Sequence, residues 1–109
     1  MTKIPITMTR GDTLVLNVTM EDATPTSMFF SAKRDYKDEA YAFQKSMEDG
    51  ITLISAGKYR VRVAPEDTED LAVGKYVYDL QVGVGSDIYT VIGGTLRLEN
   101  DVTRDDDDE

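Results

Sequence analysis

Two alternating runs late in the chain limit the possible folds more than any other feature. Apolar residues at every second position place Tyr76, Tyr78, Leu80 and Val82 on one face of a β-strand. A glycine-rich turn follows, and a second run rich in β-branched and aromatic residues returns over positions 89–98. Positions 74–104 are therefore predicted to form a β-hairpin.

Shorter alternating runs, separated by turn-forming residues, occupy the rest of the chain. Strands are predicted at 4–8, 14–20, 28–33, 41–46, 51–54 and 58–63. Pro5 favours an edge position for the first, and Phe30 and Ala32 are expected to face inward in the third. One helical turn is expected over 65–71, because proline is tolerated in a first turn and acidic residues there oppose the helix dipole.

About seven strands with one short helical turn predict an all-β protein, an antiparallel immunoglobulin-like β-sandwich, with a small barrel as the alternative. The chain has no Cys and no Trp, so it is not an antibody-type domain. Its 109 residues suit one domain, predicted over 1–104. Residues 105–109 supply five of the nine net negative charges and are predicted to be a disordered acidic tail.

The composition argues against an enzyme. Cys and His are absent, which removes thiolate metal sites, the commonest general base and the commonest metal ligand. The carboxylates of Asp35, Asp38 and Glu39 have no matching cleft with sugar platforms, and the acidic tail lacks the turn glycine of a calcium loop. No catalytic, cofactor-binding or metal-binding residue is predicted.

The charge distribution also limits the partners. Lys and Arg are scattered singly in an acidic chain, so neither nucleic acid nor an anionic membrane surface is expected as a partner. No apolar run approaches the roughly 20 residues of a membrane span, and residues 1–8 do not form a secretion signal. Synthesis in a cytoplasm is the expectation.

Two short motifs have structural explanations. Arg10-Gly11-Asp12 matches an integrin-binding tripeptide, but a turn between two strands needs Gly and Asp for backbone reasons alone. Asn17-Val18-Thr19 matches a glycosylation acceptor inside a predicted strand. Both are interpreted as coincidence.

Alternation divides the tyrosines into two groups. Tyr59, Tyr76 and Tyr78 share faces with Leu and Val and are predicted to be core residues. Tyr36 and Tyr41 lie in or beside the charged loop 34–40 and are predicted to be exposed. Because tyrosine is enriched at interfaces, these two are candidate contact residues.

Two further expectations concern the sheets. The inward positions set by Tyr89 and Val91 must change parity before Leu96, so a bulge is predicted at Gly93-Gly94. The outer face of strand 58–63 is cationic, and its Arg60 and Arg62 are predicted to pair with Asp79 if the two strands are neighbours.

Three longer stretches resemble a known family. They are RGDTLVLNV at 10–18, PEDTEDLAVGKYVYDLQV at 65–82 and YTVIGGTLRLENDVTR at 89–104. Together they resemble small immunoglobulin-like domains of tailed-bacteriophage and prophage structural modules, including the N-terminal domains of baseplate proteins. The helical turn leading into GKYVYDLQ and the closing residues 101–104 are the most specific parts.

The resemblance implies a non-enzymatic virion structural protein, made in the host bacterial cytoplasm and attached to a tail, a baseplate or a head as capsid decoration. Its partners would be other virion proteins, in a homo-oligomer or another symmetric assembly, contacted through sheet edges, loops and termini, which adds Asp101 and Arg104 to Tyr36 and Tyr41 as interface candidates. The alternative is a β-sandwich module that binds carbohydrate or a host surface.

Overall fold

The computed structural model of the protein describes residues 2–20 and 24–100, which form nine strands and one short helix. These are β1 (Thr2–Lys3), β2 (Ile6–Thr9), β3 (Leu14–Thr19), β4 (Ser27–Lys33), β5 (Phe43–Ser46), β6 (Ile51–Ser55), β7 (Lys58–Val63), α1 (Pro65–Thr68), β8 (Gly74–Val84) and β9 (Asp87–Glu99). The predicted acidic tail, 105–109, lies outside the described residues.

Two sheets face each other. In the six-stranded sheet, β9 pairs in parallel with β1 and β2 at one edge and antiparallel with β8, which is followed by β4 and β5. The three-stranded sheet is antiparallel, in the order β3-β7-β6. The protein is an immunoglobulin-like β-sandwich, as its alternation predicts.

The core fills the space between the sheets. Phe30 and Ala32 on β4 are fully buried, which confirms their predicted orientation, and Met28 on the same face is buried with them. The Phe30 ring lies 5.4 Å from that of Tyr78 on β8 and 6.1 Å from that of Phe43 on β5. Aromatic side chains thus fill the centre of a sandwich that has no disulfide to bridge its sheets.

The predicted core tyrosines are all buried. Tyr76, near the start of β8, donates its hydroxyl to the carbonyl oxygen of Ala72 at 2.7 Å, the tyrosine corner of immunoglobulin-like domains. Tyr78 donates to the carbonyl oxygen of Ile4, between β1 and β2. The rings of Tyr76 and Tyr78 are therefore buried, while their hydroxyl groups are satisfied at the rim of the core.

The hairpin of β8 and β9 is confirmed, but its bulge is displaced. Leu80 pairs with Ile92 and Gln81 with Thr90, so the extra residue is Val91 and not Gly93 or Gly94. The predicted inward position of Tyr89 is also wrong: Tyr89 pairs with Val82 close to the turn that joins β8 to β9, and its side chain is exposed.

Gly93 and Gly94 serve the parallel edge instead. The Gly93 carbonyl accepts the Ile4 amide at 2.9 Å, and a Cβ built on Gly94 would lie 2.9 Å from the Ile4 carbonyl oxygen. Gly94 has φ +150°, a conformation that side chains disfavour. Pro5, which separates β1 from β2, lies at the sheet edge as predicted.

The Arg10-Gly11-Asp12 turn is tied to the helix. Gly11 is buried and donates its amide to the Thr68 hydroxyl at 2.8 Å. The Asp12 amide closes the turn on the Thr9 carbonyl at 3.0 Å. A buried glycine with this partner supports the structural interpretation of the tripeptide.

The helix is shorter than predicted, ending at Thr68, and Gly74 begins β8 instead of ending the helix. Asp67 accepts the Ala64 amide at 2.7 Å and forms an ion pair with the buried Lys45 at 3.0 Å. Lys45 also reaches Asp49 at 3.2 Å. The charge of this inward-pointing lysine on edge strand β5 is thereby paired. The ion pair with Asp67 also connects β5 to α1, which lies between β7 of one sheet and β8 of the other.

Candidate binding site

A groove crosses the outer face of the six-stranded sheet. It has a volume of about 460 Å³ and is open to solvent. Its lining residues come from β4, β5, β8 and the loop between β4 and β5: Phe29, Ser31, Lys33, Tyr36, Tyr41, Gln44, Val77, Tyr78, Asp79 and Gln81.

The strand register assembles the floor of this groove. Pairing of β4 with β8 sets Phe29 opposite Gln81 and Ser31 opposite Asp79, with all four side chains on the outer face. On the far side of β4, Gln44 donates its side-chain amide to the Ser31 hydroxyl at 2.9 Å. Three adjacent strands therefore supply one continuous polar and apolar surface.

The loop between β4 and β5 adds the aromatic wall. Tyr36 is 75% exposed and Tyr41 is 51% exposed, and both rings line the groove. Lys33 places its ammonium 5.3 Å from the centroid of the Tyr41 ring. This cation–π contact orients one tyrosine, while the Tyr36 ring keeps most of its surface in water.

Asp79 gives the floor its charge. Burial raises the pKa of this carboxyl, and the positive charge of Lys33 acts in the opposite direction without overcoming it. The carboxylate makes no hydrogen bond or ion pair with another described residue, and the Lys33 ammonium, whose charge acts on it, lies over the Tyr41 ring. It is a half-buried acceptor facing an open groove.

The predicted pairing of Asp79 with Arg60 or Arg62 is wrong. The two arginines lie on β7 in the three-stranded sheet, whereas Asp79 lies on β8 in the other sheet. Alternation correctly predicts that all three side chains point outward. Because β7 and β8 belong to different sheets, however, the arginines and Asp79 lie on opposite sides of the sandwich.

A second hollow of about 350 Å³ continues the groove toward β1 and β2. It shares Tyr36, Tyr78 and Asp79 with the first and adds the backbone around Gly93 and Gly94. Tyr36 and Asp79 thus stand at the junction of two depressions that together run from the β5 side of the sheet to its parallel edge.

This arrangement is suited to non-covalent recognition. Exposed aromatic faces can stack on a ring or a cationic group, and the amides of Gln44 and Gln81 can donate and accept hydrogen bonds beside the Asp79 carboxylate. Among residues 2–20 and 24–100, no group of three acidic, His or Cys side chains is placed to hold a metal ion.

The predicted exposure of Tyr36 and Tyr41 is confirmed, and the structure brings both residues to one groove. Their role in contacts with a partner stays a prediction. Asp101 and Arg104, the other predicted interface residues, lie outside the described residues.

Sequence reasoning missed the floor. Phe29, Gln44, Asp79 and Gln81 belong to it, and their outward parity is readable within each strand. The missing information was that β4 and β8 are neighbours, which joins separate outward positions into one surface.

No protein-family model matches the chain, and a comparison with curated proteins gave no match. One solved structure that matches is Tim-4 in complex with phosphatidylserine, at 14% sequence identity and a TM-score of 0.43, covering 90% of this chain and 100% of that one. The single helix of the described part of the chain, with four residues, is too short to cross a membrane.

Proposed function

We propose that this chain is a non-enzymatic structural protein of a tailed-bacteriophage virion, in the tail, the baseplate or the head, that makes assembly contacts through the outer face of its six-stranded sheet. The observation that carries the proposal is the groove with exposed Tyr36, Tyr41 and Phe29 at its wall and floor. Clustered, solvent-exposed aromatic side chains are typical of protein contact surfaces.

The resemblance of positions 9–104 to phage structural domains supplies the setting. In a symmetric particle each copy presents the same groove, so a moderate contact is repeated many times. A partner that covers Tyr36 and Tyr41 also desolvates Asp79, which favours a partner with a hydrogen-bond donor or a cation at that point.

The test is made on purified phage particles. Mass spectrometry is expected to find the polypeptide in them, and the double variant Tyr36→Ala, Tyr41→Ala is expected to be lost from particles while remaining folded. Tyr89→Ala is the matched control, because Tyr89 is 54% exposed but does not line the groove. Particles that lack the wild-type polypeptide would overturn the proposal.

Carbohydrate binding is the second candidate, and the composition of the groove favours it. Tyrosine faces next to two glutamine amides and a carboxylate can stack on a sugar ring and bond to its hydroxyls. Binding on a glycan array that disappears in the same double variant and persists in Tyr89→Ala would support it. A blank array with the wild-type protein would contradict it and leave the assembly proposal untouched.

A further inference from the structure

The outer face of the three-stranded sheet carries a single column of positive charge. Lys58, Arg60 and Arg62 alternate along β7, the central strand of that sheet, and all three are exposed. We call these three residues the cationic stripe. Residues two apart on a strand are separated by about 6.6 Å, so the stripe extends for roughly 13 Å.

No acidic residue flanks the stripe within the sheet. Its cross-strand neighbours on β3 are Val15, Asn17 and Thr19. On β6 they are Thr52, opposite Arg60, and Ser55, opposite Lys58.

The stripe makes no ion pair with another described residue. Its side-chain hydrogen bond to a described residue is long, from Arg60 Nε to Asn17 Oδ1 at 3.4 Å. Three adjacent cations therefore repel one another on a protein whose net charge is −9.

The same chain carries a complementary segment. Asp105, Asp106, Asp107, Asp108 and Glu109 form an uninterrupted acidic block. Fully extended, five residues span about 17 Å, which is slightly longer than the stripe. The charge and the length of the block both match it.

The described chain ends close to the stripe. The Glu99 carbonyl at the end of β9 accepts the Arg10 amide at 2.8 Å, and β3 begins four residues after Arg10. At the start of β3, Val15 lies opposite Arg62. Residues 100–104 can extend for about 17 Å, enough to carry the acidic block around the β2–β3 turn toward Arg62.

We propose that the acidic block 105–109 docks on the cationic stripe of its own chain. A short tether gives such a contact an effective concentration in the millimolar range, well above that of another copy in dilute solution. The contact lies at the surface and is therefore salt-sensitive. Docking neutralises the outer face of the three-stranded sheet, a role that is separate from the groove on the opposite face.

The experiment follows backbone amide resonances by NMR at low salt. The parent is compared with a variant of equal length in which the block is neutral: Asp105→Asn, Asp106→Asn, Asp107→Asn, Asp108→Asn and Glu109→Gln. Amide shifts are expected along β7 and on the outward positions of β3. In the parent, about 1 M NaCl, where the screening length is about 3 Å, is expected to move the same resonances toward their positions in the neutral variant.

Two charge variants locate the docking surface. Lys58→Gln, Arg60→Gln, Arg62→Gln is expected to abolish the response of β3 to neutralisation of the block. The matched control, Lys3→Gln, Lys37→Gln, Lys75→Gln, removes the same charge from exposed positions outside the stripe and is expected to keep that response. Unchanged thermal unfolding midpoints establish that both variants fold.

Three outcomes would overturn the proposal. The first is the absence of any β7 shift on neutralisation of the block. The second is an equal loss of the response in the stripe variant and in the control, which would reduce the effect to net charge. The third is a response that weakens on tenfold dilution, which would assign the contact to a neighbouring copy instead of the same chain.

Discussion

The two outer faces of the sandwich are built by the same alternation of side chains, but they differ in width, in charge and in the loops that border them. The face of the six-stranded sheet is broad, carries both signs of charge and is overhung by a loop that adds Tyr36 and Tyr41. The face of the three-stranded sheet is narrow and carries one sign of charge along β7. Alternation decides which side chains point outward, but the neighbouring strands and loops decide what surface those side chains form.

The two faces depend on one shared core, and Phe30→Ala is the change that should disrupt both. Phe30 is fully buried and packs against Tyr78 and Phe43. Its truncation is expected to lower the free energy of unfolding by about 3–5 kcal/mol, measured by urea denaturation. Val61→Ala, at a fully buried position of the other sheet, removes fewer atoms and should cost less. A loss below about 1 kcal/mol for Phe30→Ala would contradict the shared core.

A cation inside the sandwich should matter more than a cation on its surface. Lys45→Met keeps much of the apolar stem but leaves Asp67 without its ion pair, and it is expected to cost about 2 kcal/mol at pH 7 by denaturant unfolding. The matched surface change, Arg60→Met, should stay within about 0.5 kcal/mol. Equal effects would show that burial does not distinguish these two cations.

The same pair predicts a loss of stability in alkali. Burial alone would lower the pKa of Lys45, but hydrogen bonds and attraction to Asp67 and Asp49 outweigh it, and the pKa is raised above 10.5. A raised folded-state pKa gives a contribution that is complete below pH 10.5 and lost as the pH rises through the folded-state value. The stability difference between wild type and Lys45→Met should therefore shrink above pH 10.5.

Tyr78→Phe tests how the six-stranded sheet holds β1 and β2. The hydrogen bond from the Tyr78 hydroxyl to the Ile4 carbonyl, between these two strands, has no counterpart among the hydrogen bonds described for the three-stranded sheet. Removal of the hydroxyl leaves the Ile4 carbonyl without this donor and is expected to cost about 1 kcal/mol in denaturant unfolding. Burial raises the pKa of Tyr78 above 10.0, so the contribution of the neutral phenol is present below pH 10 and lost above it. Tyr89→Phe, at an exposed position, should change nothing, and an equal effect of both changes would contradict the role of the Ile4 contact.

Asp79→Asn, on the outer face of the six-stranded sheet, is expected to have the smallest effect on the free energy of unfolding, and that effect should be a gain. Because burial raises the folded-state pKa of Asp79, the ionised carboxylate opposes folding at neutral pH, and its removal should stabilise the protein by up to about 0.5 kcal/mol. The gain should vanish below pH 3.8, where the carboxyl is protonated in both states. A clear destabilisation at pH 7 would mean that Asp79 has a cationic partner after all.

The sequence predicted the stripe more fully than the groove, and the reason is physical. The cationic outer face of β7 follows from a single strand, since Lys58, Arg60 and Arg62 alternate with buried residues. The groove requires the pairing of β4 with β8, which are separated by more than 40 residues of chain, and the fold of the loop between β4 and β5. Local alternation carries no information about either.

The hairpin of β8 and β9 shows the same limit of prediction from local alternation, at the level of single residues. Both arms and the need for a bulge were predictable from parity, but its position was not, because glycine suits a bulge and a close backbone approach equally well. Here Gly94 serves the close approach to Ile4, and Val91 takes the bulge. A partner strand that lies more than 80 residues earlier in the chain decided between the two uses.

The close approach of Gly94 to Ile4 holds β1 and β2 against β9, and we call these two short strands the latch because they can detach without unfolding the rest of the sheet. β1 has two residues and β2 has four, and β9 holds both through backbone contacts that a single methyl group at position 94 would wedge apart. Their amides should exchange with solvent through local opening, before those that join β8 to β9. When the latch opens, β9 exposes a row of free N–H and C=O groups, the template on which a strand from another chain can form.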